Sequence, residues 1–312
     1  MRLFLNKYLP DASAPSDIEV AEGLAAGTGF FLVKEVDISG LIRPRDLFSH
    51  KGTYGHALIV AGATDTMGAA LLAASGCIHA GAGLTTVSIP ESGLTALNTL
   101  LPEAMFTGRD GLGEPEAFER YNAIAVGPGM KLADDISNED ANLFQALYQL
   151  KKKPAIVIDA EALREMAVNR NMFNVMSSGN ILTPHMREFD RLFGEHKTWW
   201  ERIQTALDTA EQKKCVIVLK NRYTFIASPE RRLLINPTGN PAMAQGGMGD
   251  VLTGIIAGYL AQGYSALNAT MLGCFFHGLA GDDLATKQFN VTASQVAAQL
   301  PGTVRKFLKE VN

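Results

Sequence analysis

The sequence predicts an α/β fold with a mostly parallel central sheet and helices on both faces. Three observations predict it. Short, continuous apolar runs such as Ala57-Leu58-Ile59-Val60-Ala61 and Ala123-Ile124-Ala125-Val126 read as strands covered on both sides. These runs alternate with longer segments of helical period, as parallel sheets require. The runs also end in glycine or a polar residue: Gly62, Gly127-Pro128-Gly129, Asp159, His185 and Lys220. Ligands of such sheets bind outside the carboxyl ends of the strands, so these ends are expected to converge on one crevice.

Taken in order, residues 1–50 form a leader unlike the rest. Pro10, Pro15, Pro44 and scattered acids surround one apolar run, Phe30-Phe31-Leu32-Val33, enough for one strand or helix. The regular domain is expected over 51–312. After the strand at 57–61, a glycine-containing loop from Gly62 to Gly68 leads into a helix opening at Ala69-Ala70-Leu71-Leu72 and running towards Gly81. Strands follow at Leu84–Ile89, near Ala104-Met105-Phe106, and at Ala123–Val126. A helix is expected from about Ile136 to Lys151, with Leu143, Phe144, Leu147 and Leu150 on its apolar stripe.

Ala155–Ile158 leads into Asp159 and a helix from Glu161; Ile181-Leu182 leads into Thr183-Pro184-His185 and a helix from about Arg187. Trp199–Gln212 is amphipathic, and Val216–Leu219 leads into Lys220. Tyr223–Ala227 and Leu233–Ile235 form a hairpin pair across Ser228-Pro229-Glu230-Arg231. Three helices, 251–261, 266–286 and 292–309, close the chain.

The totals exclude several classes of function. The chain of 312 residues is 47% hydrophobic and 19% charged, so it is globular and long enough for a large core. A net charge of −4, with no basic run, points to neither nucleic acid nor a membrane surface. The apolar stretch 251–280 is interrupted by Gln262, Asn268 and glycines and reads as two buried helices. Cys77, Cys215 and Cys274 lie far apart in apolar settings, as buried thiols of a reducing cytoplasm do. No metal-ligand spacing is present. The 30 glycines exceed the usual share of about 7% and gather at loop-to-helix junctions.

The chemistry concentrates in Asn236 through Asp250, which runs into Val251-Leu252-Thr253-Gly254. Gly246, Gly247 and Gly249 let amides turn towards one point, where a helix N-terminus adds the positive end of its dipole. That is an anion site, with phosphate the usual anion. Asp250 stands in this cradle either as a helix cap or as a general base beside the phosphoryl group being transferred. Asp159 reads equally as a cap or a functional acid. His185, followed by Glu188, and Lys220, followed by Thr224, point into the expected crevice. Neither GxxxxGK[ST] nor an opening GxGxxG occurs, which leaves the late glycine loop to hold a nucleotide's phosphates.

In this order the motifs resemble the ADP-dependent NAD(P)H-hydrate dehydratases of the ribokinase-like superfamily. The matching stretches are Lys51–His56 with Val60-Ala61-Gly62, Gly68–Ala73, Gly81–Thr85, Gly127-Pro128-Gly129, Ile158-Asp159-Ala160, Leu182–His185 with Glu188, Val218–Lys220 with Thr224, and Asn236–Gly254. The chain departs from the family pattern at Asn221 and Arg187, where glycine is usual, and at Met130-Lys131. The resemblance implies a ribokinase-like three-layer fold. It implies that Ala69, Gly129, His185 and Asp250 meet the hydrated nicotinamide nucleotide. Lys220, Asn221, Arg222, Tyr223, Thr224 and Gly249 would hold the adenine nucleotide, with Asp250 catalytic.

It also implies ADP as co-substrate, Mg²⁺, a cytoplasmic homo-oligomer, and partnership with an NAD(P)H-hydrate epimerase, either a separate protein or an upstream domain of which residues 1–50 are the trailing edge or linker. The reaction implied is ADP-dependent dehydration of the (S)-hydrate to NAD(P)H, with release of AMP and phosphate. Two alternatives stand beside it. One is a ribokinase-like kinase acting on an alcohol of a vitamin precursor, which leaves a stable phosphorylated product. The other is a non-catalytic nucleotide-binding module, which has no use for the Asp250 carboxylate.

Overall fold

A computed structural model of the chain describes residues 29–131, 138–150, 154–169 and 179–308, with the backbone of 2–3, 18–19 and 21–22. Its strands, in chain order, are β1 (Arg2–Leu3), β2 (Ile18–Glu19), β3 (Ala21–Glu22), β4 (Phe30–Leu32), β5 (His56–Val60), β6 (Leu84–Ser88) and β7 (Met105–Thr107), then β8 (Ala123–Val126), β9 (Ala155–Ile158), β10 (Ile181–Leu182), β11 (Val216–Leu219), β12 (Thr224–Ala227) and β13 (Leu233–Asn236). One sheet runs β3-β4-β13-β12-β11-β10-β9-β8-β5-β6-β7. Every neighbouring pair in it is parallel except those made by β12, the first strand of the expected hairpin.

The chain builds outward from β5 through β6 to β7, then crosses back to β8 on the other side of β5. This reversal of strand order opens a crevice at the carboxyl ends of β5 and β8, where the chain continues as Gly62 and Gly127.

Side chains divide by the period of two that strands impose. Ala57 and Ile59 join one core, with the helices Met67–His79, Met248–Ala261, Ala266–Ala285 and Ala293–Arg305. Leu58 and Val60 join the other, with Asn138–Gln149, Ala160–Val168, Met186–Phe193 and Trp199–Lys213. This is the expected three-layer arrangement. The last helix stops at Arg305 rather than 309, and its Pro301 is accommodated inside it. Within residues 1–50, β4 pairs with β13 and Ile38 of the helix Glu35–Leu41 is buried in the first core.

The helix Met248–Ala261 organises the first layer. Every residue from Val251 to Ala261 is buried, so its sequence is apolar all round. It packs on Met67–His79 at unusually close range. A Cβ on Gly254 would lie 1.8 Å from the Ala73 carbonyl oxygen, so only glycine permits the approach. Close packing fixes where the helix begins and therefore where Asp250 points. All three cysteines are buried, with burial pushing each thiol up to about 12.

Candidate active site

The strand ends meet as the sequence implies. His185 bridges Lys220 in parallel register, and the Lys220 N–H donates to the Pro184 carbonyl at 3.1 Å. The Lys220 Nζ donates to Asp159 Oδ1 at 3.0 Å, and Thr253 Oγ1 donates to Asp159 Oδ2 at 2.7 Å. Asp159 occupies the N-cap position of Ala160–Val168 but makes no side-chain cap bond. Its oxygens instead tie β9, β11 and the helix Met248–Ala261 together.

Asp250 lies in the first turn of that helix, and the cap position belongs to Gly247, which has φ +88° and no side chain to offer. Asp250 is therefore not the cap. Gly247 also clears Leu72, whose Cδ1 would lie 2.5 Å from an added Cβ. The first intrahelical bond here runs from the Val251 N–H to the Gly247 carbonyl. The amides ahead of it have no acceptor among the described residues.

Electrostatics set Asp250 apart. Burial, then the charge of Asp159, push its carboxyl up to about 7, with Lys220 pulling the other way and Glu188 adding to the rise. Glu188 is also raised, first by burial, against the pull of Lys220. Burial alone would lower Lys220, but Asp159, Glu188 and Asp250 face it and hold it above the ordinary lysine value. One ammonium thus answers three carboxylates, one of them poised to take or give a proton near neutrality.

Beside this cluster opens a cavity of about 330 Å³, lined by Lys220, Asn221, Arg222, Thr224 and Gly249 among others. Its far wall is the loop 236–244, held on the helix Ala266–Ala285. Asp282 accepts from the Gly239 N–H at 2.9 Å and from Asn240 Nδ2 at 2.7 Å, and Thr238 Oγ1 donates to the Phe275 carbonyl at 2.9 Å. Arg222 closes the ring by donating to the Gly239 carbonyl at 2.7 Å. Tyr223, included in the sequence-based set, is not on this wall; it packs against the second core with Arg222 over its ring.

Ala69 and Gly129 meet at the switch point. Gly129 has φ +63°, and a Cβ there would lie 2.7 Å from the Ala69 Cβ. His185 caps the helix Met186–Phe193: its Nδ1 accepts from the Arg187 and Glu188 amides at 3.1 and 3.2 Å. The Glu188 Oε2 accepts from the His185 N–H at 2.8 Å, completing a capping box. The neutral ring therefore carries its proton on Nε2, which faces Glu188 Oε1 at 3.5 Å.

The sequence reading left Asp159 open as a cap and gave Thr253 and Arg109 no role. Thr253 lies one turn beyond Asp250 and is visible only once the helix is placed. Arg109 is buried; its Nη2 donates to the Ala61 and Gly62 carbonyls at 2.8 and 2.9 Å and its Nη1 pairs with Asp140 at 2.9 Å. It braces the end of β5, and no local pattern announces it.

A family model described as NAD(P)H-hydrate dehydratase matches residues 57–301. The chain belongs to the NAD(P)H-hydrate dehydratase family. The family's bifunctional NAD(P)H-hydrate repair enzyme from Moorella thermoacetica is 38% identical over 283 residues, covering 86% of this chain and 52% of that protein. The chain thus spans about half the length of such bifunctional relatives. The ADP-dependent (S)-NAD(P)H-hydrate dehydratase of Bacillus subtilis is 36% identical over 250 residues, covering 78% of this chain and 86% of that protein. A crystal structure of the Bacillus subtilis ADP/ATP-dependent enzyme, co-crystallised with ATP and Mg²⁺, matches with a TM-score of 0.76 at 29% identity, over 88% of this chain and 98% of that one. No described helix is long and apolar enough to cross a membrane.

Proposed function

We propose that this protein is an ADP-dependent NAD(P)H-hydrate dehydratase that returns (S)-NADH or (S)-NADPH hydrate to the reduced coenzyme. The observation that carries the proposal is Asp250. It is a carboxyl raised to about 7, set in the first turn of a glycine-capped helix, across from Lys220 and beside a cavity of nucleotide-site size.

Hydroxide is a poor leaving group from the hydrated ring, and phosphate is a good one. The ring hydroxyl attacks the terminal phosphorus of ADP, and Asp250 takes its proton. The bond to the departing phosphate oxygen breaks and AMP leaves. The unpaired helix amides and Lys220 stabilise the charge that develops on the transferring group. The ring nitrogen then pushes out phosphate as the carbon–oxygen bond breaks. Loss of a proton from the neighbouring ring carbon restores the double bond, so hydrate and ADP become reduced coenzyme, AMP and phosphate.

Asp159 acts through its neighbours, holding Lys220 at 3.0 Å and Thr253 at 2.7 Å. His185, its Nε2–H facing Glu188, packs against the nicotinamide nucleotide, with Ala69 and Gly129 forming the close wall. Lys220, Asn221, Arg222, Thr224 and Gly249 take the adenine nucleotide.

Among the described residues there is no ready-made cluster of three metal ligands. The donor set still fits a hard cation brought in on the nucleotide's phosphates, because three carboxylates outnumber the one ammonium they face. Glu188, with water and the nucleotide's own phosphate oxygens, would hold it, Asp159 being engaged on both oxygens and Asp250 being kept for the proton. Mg²⁺ in that place supplies charge neutralisation of the phosphates. An NAD(P)H-hydrate epimerase, fused or separate, is the partner that would supply the S epimer, and a homo-oligomer in the cytoplasm is the expected working form.

The test is the absorbance of the reduced nicotinamide, followed with hydrated coenzyme and either ADP or ATP, alongside product analysis. Appearance of NAD(P)H with AMP and phosphate supports the proposal. A stable phosphorylated hydrate, or no turnover with either nucleotide, overturns it.

A further inference from the structure

A second cavity, of about 240 Å³, includes Glu188 of the carboxylate–lysine cluster in its lining and shares no residue with the first. It is lined by Glu161, Arg164, His185, Arg187, Glu188 and Arg191, with Ala160. Its charge is lopsided once the internal bonds are counted. Glu161 faces Arg164 at 3.5 Å, and Glu188 is held by the His185 amide at 2.8 Å. Among the described residues, no carboxylate pairs with Arg187 or Arg191. These two stand four apart on the exposed side of the helix Met186–Phe193, so both guanidinium groups serve one face.

The cavity is joined to the chemistry. His185 bridges Lys220, which lines the first cavity. Glu188 acts on both Lys220 and Asp250 through its charge. Asp250 lines neither cavity, but Lys220 of the first and Glu188 of the second both act on it. The first is lined by Lys220, Arg222, Gly249 and the loop 236–244 and suits the phosphoryl donor. The other is lined by charged side chains and by His185, the residue set above beside the nicotinamide nucleotide. Guanidinium forks match phosphoryl oxygens in number and geometry better than any other side chain.

We propose that Arg187 and Arg191 hold a phosphoryl group of the nicotinamide dinucleotide, namely its bridging diphosphate, and so help to set which hydrates the protein accepts. This rests on the function proposed above.

The test compares wild type, Arg187→Ala, Arg191→Ala and the double variant. Each is assayed with NADH hydrate, NADPH hydrate and the hydrate of the reduced mononucleotide, at saturating and at varied ADP. The wild type must first turn over a hydrate with ADP; failure there removes the proposed function, not the grip alone. The expected result is a rise in KM for both dinucleotide hydrates of about 10- to 100-fold in the double variant, given the strength of charge-assisted hydrogen bonds. kcat and the KM for ADP should stay within about threefold, and the mononucleotide hydrate should be affected least. A rise confined to NADPH hydrate moves the contact to the 2′-phosphate and overturns the diphosphate assignment. Unchanged KM values, or a rise in the KM for ADP alone, overturn the proposal.

Discussion

The two cavities beside the carboxylate–lysine cluster are made in different ways. The larger is walled by Lys220, Arg222 and His277 together with the loop 236–244, the start of the helix Met248–Ala261, and glycines, of which Gly278 stands at a point of close approach. The smaller is walled by long charged side chains on an exposed helix. A backbone wall tolerates few sequences, because an added Cβ collides with main chain. A side-chain wall constrains only the residues that do the binding. The first kind should break when a methyl group is added, and the second should weaken by degrees as charges are removed.

The largest effect is expected at Asp250, which lines neither cavity but feels the charge of Lys220 in one and of Glu188 in the other. Asp250→Asn should lower kcat by about 100-fold or more, as loss of a general base does, with ADP binding retained by calorimetry. Near-normal turnover would remove Asp250 from the chemistry. The same variant should gain stability at neutral pH. Burial raises the folded-state pKa to about 7 from 3.8, so between those values the folded state binds the proton more tightly than the unfolded chain. Stability contributed by this group is full below the lower value and is lost as pH rises through the higher one. Removing the charge should return about 1–2 kcal/mol at pH 8, allowing for partial exposure, read as a higher Tm than wild type.

Next in size, Gly278→Ala tests the backbone wall. An added Cβ would lie 2.2 Å from Thr238 Oγ1 and 2.8 Å from the Gly239 nitrogen, forcing the loop 236–244 away from its helix. The KM for ADP should rise about tenfold or more, while the KM for hydrate changes little. Equal effects on both substrates would blur the division between cavities.

Asp159→Asn should follow. It keeps an oxygen for the Thr253 hydroxyl but removes the charge opposite Lys220, so kcat should fall by about tenfold. It should also shift the pH dependence of kcat/KM, because the Asp159 carboxylate is the second cause of the raised Asp250 value. In the wild type, kcat/KM should rise with pH through about 7 as Asp250 loses its proton. In the variant that rise should begin at lower pH, and an unmoved profile would detach Asp159 from the base. The smallest effect belongs to the side-chain wall: Arg191→Ala alone should raise the KM for hydrate only a few-fold, consistent with an exposed charge.

How much could be read in advance follows the same division. The start of the helix at Gly246-Gly247-Met248-Gly249-Asp250 was legible because a helix entered through a left-handed residue favours glycine, and Gly247 is that residue, with φ +88° and Leu72 against it. The strand runs were legible because burial on both faces removes polar residues from whole segments. Tyr223 packs against the second core while Asn221, Arg222 and Thr224 line the cavity, because residues 221–223 form a bend before β12 whose side-chain directions follow no period a sequence displays. His185 was legible as a position, but its capping of Met186–Phe193, which fixes its tautomer, depends on the Arg187 and Glu188 amides lying over Nδ1.

Local chemistry thus set the elements of this chain: which runs are strands, where the glycine-led helix begins, which carboxylate stands in its first turn. Tertiary structure alone decided the charge state of that carboxylate and the existence of the second cavity. Asp159, Glu188, Lys220 and Asp250 are brought together from four separate turns at the strand ends, and a pKa depends on burial and neighbouring charge, quantities that no single stretch of sequence contains.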